Sequence, residues 1–80
     1  MNDKIMQNLE RIFKDLFGEI KDFSIESQRK DFKEWDSIKH LEIIFSIEKK
    51  LKVKFNTFEI ISIKSIKDIY MILKEKNVDL

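Results

Sequence analysis

Ser37 follows Asp36 and opens the run Ile38-Lys39-His40-Leu41-Glu42-Ile43-Ile44-Phe45-Ser46-Ile47-Glu48. Aspartate is a preferred N-cap, because its carboxylate accepts the amide protons that the first turn of a helix leaves unbonded. The pattern therefore sets Ser37 at the first helical position, its hydroxyl pointing outward at the positive end of the helix. A hydroxyl so placed suits modification by another protein. Chemistry of the chain's own is poorly supported: there is one histidine, His40, and no cysteine. That excludes a thiol nucleophile, thiolate metal ligation and disulfides, and no metal-ligand spacing is present. His40 reads as a partly buried residue at the top of a core stripe, not as a catalytic or metal site.

The surroundings of Ser37 must come from a small fold. Eighty residues make one domain, 1–80, which buries only ~60% of its unfolded surface and leaves little room for an enclosed active site. Sixteen Lys and Arg face fifteen Asp and Glu, a net charge of +1. This balance argues against a general nucleic-acid binder. Lys49, Lys50, Lys52 and Lys54 are interspersed with Glu48 and core residues and have no stacking surface beside them, so they read as a solvated face. No apolar run reaches the roughly 20 residues of a membrane span, and no signal-peptide pattern opens the chain. A cytoplasmic protein without a membrane span is expected.

With no proline and one glycine, Gly18, an all-α fold is expected. Ile5, Leu9, Ile12 and Leu16, flanked by Met6, Phe13 and Phe17, predict a first amphipathic helix from about residue 3 to a C-cap at Gly18. From Glu19 to Trp35 the periodicity weakens. Phe23, Ile25 and Phe32 read as anchors of a loop that exceeds the usual connection length. A second helix is predicted over about 36–51, with His40, Ile43, Ile44, Ile47 and Leu51 on one stripe and Ile38, Leu41 and Phe45 on another. The second stripe fits burial and partner contact equally well. Leu51-Lys52-Val53-Lys54-Phe55 alternates but has no partner strand, so it reads as an extended connection. Asn56 with Glu59, and Ser65 with Asp68, resemble capping pairs of a short third helix and a fourth, the second pair closer to the rule. The fourth helix uses Ile66, Ile69, Tyr70, Ile72 and Leu73 and ends near Lys74 to Lys76, with a frayed tail beyond Asn77. Trp35 is expected to pack over the loop and helix junction with its indole proton bonded locally.

Asp36-Ser37-Ile38, then Leu41, Glu42, Ile47 and Glu48, Phe55, Ile63 and Ser65-Ile66-Lys67-Asp68 together resemble the acyl carrier protein family, which usually has Asp-Ser-Leu at the first of these places. The likeness runs without insertion from Asp36 to about Leu73, close to half the chain, and Trp35 before Asp-Ser is similar to discrete carriers. The resemblance implies a four-helix bundle with a short third helix and a long loop between helices one and two. It implies that a phosphopantetheinyl transferase attaches phosphopantetheine from coenzyme A to Ser37, with Asp36 helping to position the transferase metal. The arm's thiol would carry acyl intermediates as thioesters, in fatty-acid, polyketide or other specialised biosynthesis, while acyl-transferring or acyl-activating enzymes perform the chemistry. A thiol supplied this way fits a chain without cysteine. Ile38, Lys39, Leu41, Glu42 and Phe45 would contact partners, and Ile43, Ile47, Ile60, Ile63, Ile69 and Leu73 would line an acyl pocket in a monomeric, non-catalytic carrier. A helix N-terminus also favours a phosphate on Ser37.

The chain departs from the family in charge. Carriers of fatty-acid synthesis are usually acidic along the second helix, whereas Lys39 here follows Ile38 and further lysines follow Glu48. Like-charge contact with basic partner surfaces would weaken generic docking, which points to a specialised carrier. The alternatives are an aminoacyl or peptidyl carrier, and an unmodified helical interaction module in which Ser37 is incidental.

Overall fold

The computed structural model describes residues 3–76, so the expectation of a frayed tail beyond Asn77 lies outside the described residues. Four α-helices appear among them: α1 (Lys4–Phe17), α2 (Ser37–Leu51), α3 (Thr57–Ser62) and α4 (Ile66–Glu75). No strand is present among the described residues, and no helix there is long and apolar enough to cross a membrane. The expected all-α architecture holds, including the short third helix and the long first connection.

Each helix starts where a polar side chain can take its unbonded amides. Asp3 caps α1 by accepting from the amides of Ile5 and Met6. Its other carboxylate oxygen accepts from the Tyr70 hydroxyl of α4 at 2.5 Å, joining the two ends of the described chain. The Tyr70 hydrogen bond, aided by the Met6 and Ile5 amides, holds the Asp3 carboxyl below its ordinary value, and Asp3 in turn raises Tyr70. Asn56 and Glu59 form a reciprocal capping box on α3, at 2.7 and 2.9 Å. The Asn56 amide lowers the Glu59 carboxyl, and Lys76 adds to the effect through a 3.1 Å ion pair. The second capping pair is the less complete one, contrary to the sequence pattern. Ser65 accepts from the Asp68 amide, but Asp68 reaches back to the Lys64 amide at 2.8 Å.

Two turns leave the helices through left-handed backbone. Gly18 ends α1 at φ 81°, ψ −151°, a region essentially reserved for glycine. Lys52 ends α2 at φ 58°, ψ 46°, where a side chain is disfavoured. Leu51 to Phe55 is thus a turn into an extended connection, as no ladder is available to it.

The core joins Leu9 and Phe13 of α1, Ile43, Ile44 and Ile47 of α2, Ile63, and Ile66, Ile69 and Leu73 of α4, all fully buried. Each such side chain contributes roughly 1.5–3 kcal/mol through burial. The long connection between α1 and α2 is fastened to this core. Phe23 and Phe32 lie 5.4 and 5.5 Å from Phe13, ring centroid to ring centroid, and pack against the core, whereas the equally half-buried Ile25 does not. A 3₁₀ turn at Arg29–Asp31 and a pair of backbone bonds complete the attachment. The Arg29 amide donates to Lys64 and the Ile66 amide to Ser27, each at 2.9 Å. These bonds give the loop the partners that its own sequence does not supply.

Candidate functional site at the start of α2

Ser37 is exposed at the first position of α2. Asp36 accepts the Lys39 amide on its carboxylate and the His40 amide on its carbonyl, both at 2.8 Å. The cap therefore fixes the turn that carries the hydroxyl without covering it.

Trp35, immediately before the cap, anchors this turn from below. Its buried indole meets Phe13 edge-on at 5.3 Å and Phe32 at 5.5 Å, and its carbonyl accepts from Arg29 Nε at 3.0 Å. Its indole N–H donates to His40 Nδ1 at 2.8 Å, and His40 Nε2 lies 2.8 Å from the Ile60 carbonyl of α3. A ring that accepts at Nδ1 carries its proton on Nε2, so His40 donates to Ile60. The expected local partner of the indole is thus the lone histidine. His40 is a buried strut between the junction before α2 and the body of α3, one turn below Ser37.

Lys39, Glu42 and Glu48 of α2 are committed within the molecule. Lys39 Nζ pairs with Glu42 at 3.1 Å, donates to the Leu16 carbonyl at 3.3 Å and sits over the Phe17 ring. A cation at the carbonyl end of α1 is favourably placed. Glu48 accepts the Phe55 amide at 2.9 Å. The surface lysine and the two carboxylates read from the sequence thereby tie α2 to α1 and to its own exit.

Ile38, Leu41 and Phe45 are exposed by 72%, 44% and 59%, which removes the reading of that stripe as core. Phe58 and Ile61 of α3, exposed by 80% and 70%, were not singled out by the sequence. Their i, i+3 spacing opposite Ile60 is the signal that identifies them. Glu59 pairs with Lys76, the residue that caps α4, and Phe58 and Ile61 stand on the exposed side of α3 away from that contact. Five large apolar side chains of α2 and α3 are thus exposed. The predicted pocket residues Ile43, Ile47, Ile63, Ile69 and Leu73 are buried in the core, and Ile60 is half-buried at its edge.

The arrangement presents an accessible hydroxyl in the field of a helix N-terminus, on a rigid junction, with an apolar surface alongside. Compared with known proteins, the chain matches no family model, no curated protein and no solved structure.

Proposed function

We propose that this chain is a carrier protein of the acyl carrier type, with phosphopantetheine attached at Ser37. The observation that carries the reading is the exposed Ser37 hydroxyl one residue inside the Asp36 cap, on a turn held by Trp35 and His40. In the attachment step the Ser37 oxygen loses its proton and bonds to the pantetheine-bearing phosphorus of coenzyme A. The pyrophosphate linkage breaks, and adenosine bisphosphate leaves. The first turn of α2 suits the resulting phosphodiester by its dipole, and Asp36 would help position the transferase metal. Once attached, the arm supplies a thiol that holds an acyl group as a thioester.

The chain's own residues then bind and present rather than catalyse. Ile38, Leu41 and Phe45, joined by Phe58 and Ile61, form the surface on which the transferase and acyl-handling enzymes dock. Ile43, Ile47, Ile60, Ile63, Ile69 and Leu73 shelter a short acyl chain. Tethering delivers the thioester at high effective concentration to whichever enzyme occupies that surface. The pairing of Lys39 with Glu42 leaves this surface poor in free charge, which suits a specialised pathway whose enzymes dock through apolar contact.

The same five exposed apolar side chains favour a second reading, an unmodified interaction module. Intact mass of the purified chain separates the two, measured before and after incubation with coenzyme A, magnesium and a promiscuous phosphopantetheinyl transferase. The expected result is a gain of one phosphopantetheine that disappears in Ser37→Ala. A folded, initially unmodified sample that gains nothing turns the assignment toward the interaction module.

A further inference from the structure

The opposite end of α2 carries a second surface. A cleft of about 400 Å³ lies between α1 and the end of α2, with Ile12 and Leu16 among its apolar lining and Lys49, Lys50 and Lys52 among its polar lining. Lys50 also lines a second groove, of about 300 Å³, together with Arg11. Four cations thus line a surface to which Asp15 contributes the carboxylate, in a chain whose charges otherwise nearly balance. The ion pairs formed among the described residues are Lys14 with Glu10, Lys39 with Glu42 and Lys76 with Glu59, so these four cations are not neutralised in that way.

We propose that this cleft docks an acidic segment of a partner protein, with an apolar side chain of that segment seated against the half-buried Leu16. Charge complementarity selects the acidic residues, and the apolar lining selects against an uninterrupted polyanion, which has nothing to place there. A membrane surface fits poorly, because no bulky apolar side chain projects from the cationic rim. Ser46 and Lys49 of the cleft lie about 14 and 18 Å along α2 from Ser37, so a partner held there leaves the serine open. The chain can then be retained by one protein while its serine is presented to others.

The test uses the Ser37→Ala chain, so its outcome is independent of any modification of Ser37. The ¹⁵N-labelled protein is titrated with a dodecapeptide of repeating Glu-Glu-Leu, with a Glu-Glu-Ala peptide, and with vesicles of phosphatidylcholine and phosphatidylglycerol. Expected are amide shifts confined to Leu16, Ser46 and Lys49 to Lys52, weaker binding of the alanine peptide, and about tenfold weaker binding by Lys49→Glu/Lys50→Glu. The milder Lys49→Gln/Lys50→Gln change keeps the test valid should charge reversal perturb folding. Absence of peptide binding, equal affinity in the glutamine variant, shifts centred on Phe45 and Phe58, or binding to vesicles alone overturns the proposal.

Discussion

Replacing His40 by leucine removes both hydrogen bonds of the strut beneath Ser37 while keeping an apolar side chain of comparable bulk. The buried Trp35 N–H then has no acceptor, which costs about 1–3 kcal/mol. The Ile60 carbonyl is only partly buried and recovers water, so its loss is under about 1 kcal/mol. Imidazole and indole stack at 5.9 Å and 27°, worth roughly 0.5–1.5 kcal/mol, part of which leucine contacts replace. The expected loss is about 2–4 kcal/mol, out of a total of roughly 4–12 kcal/mol for a chain of this length. Urea unfolding followed by circular dichroism reads it directly. A cycle with Trp35→Phe should return a coupling of about 1–2 kcal/mol, since the two residues share one bond. Long-range ¹H–¹⁵N spectra should place the ring proton of His40 on Nε2. A His40→Leu change smaller than about 0.5 kcal/mol, or a coupling near zero, would refute the strut.

The two left-handed residues should respond in opposite directions. Gly18→Ala should destabilise by about 1–3 kcal/mol although a Cβ there meets nothing within 4 Å, because the whole cost lies in the backbone. Lys52→Gly should stabilise by about 0.5–1 kcal/mol, relief of strain outweighing the glycine's unfolded-state entropy; thermal unfolding measures both, and a stabilising Gly18→Ala would contradict the assigned turn. Tyr70→Phe should cost stability at neutral pH, a cost that begins to shrink as pH falls below 3.8 and is gone below the folded value of Asp3. The lowered Asp3 carboxyl contributes stability above its ordinary value of 3.8, and this is lost as pH falls through its folded value. Acid titrations of the two proteins should converge, and a constant gap between them would show that the phenol acts without the carboxylate.

What the sequence made legible acts between neighbours. Asp36, Asn56 and Gly18 bond or turn within a few residues of themselves, so their types and spacing located three helix ends. The apolar stripe through His40, Ile43, Ile44, Ile47 and Leu51 was equally readable, because fifteen helical residues repeat the pattern four times. A six-residue helix offers less than two turns, and Phe58 and Ile61 escaped notice for that reason. Asp68 could bond Ser65 or the residue before it, and only the path of the loop beside Lys64 favours the latter. Lys39 looked like a surface charge opposed to docking, yet its ammonium reaches the Leu16 carbonyl 23 residues earlier. Ser37 itself was legible through its cap, whereas the support under it depends on Arg29, Phe13 and Ile60, far apart in the chain.

The two backbone bonds that clasp Ser27 and Arg29 to Ile66 and Lys64 also set an order of events during synthesis. Their donors and acceptors meet only after the intervening stretch has been translated and has closed into a ring, a step that carries the entropy of a long loop. A nascent chain halted before Lys64 can wind α1 and α2 but leaves the loop before the serine unclasped. The shape around Ser37 is therefore completed only once α4 begins to emerge, which links readiness of the hydroxyl to the synthesis of a helix about thirty residues further on.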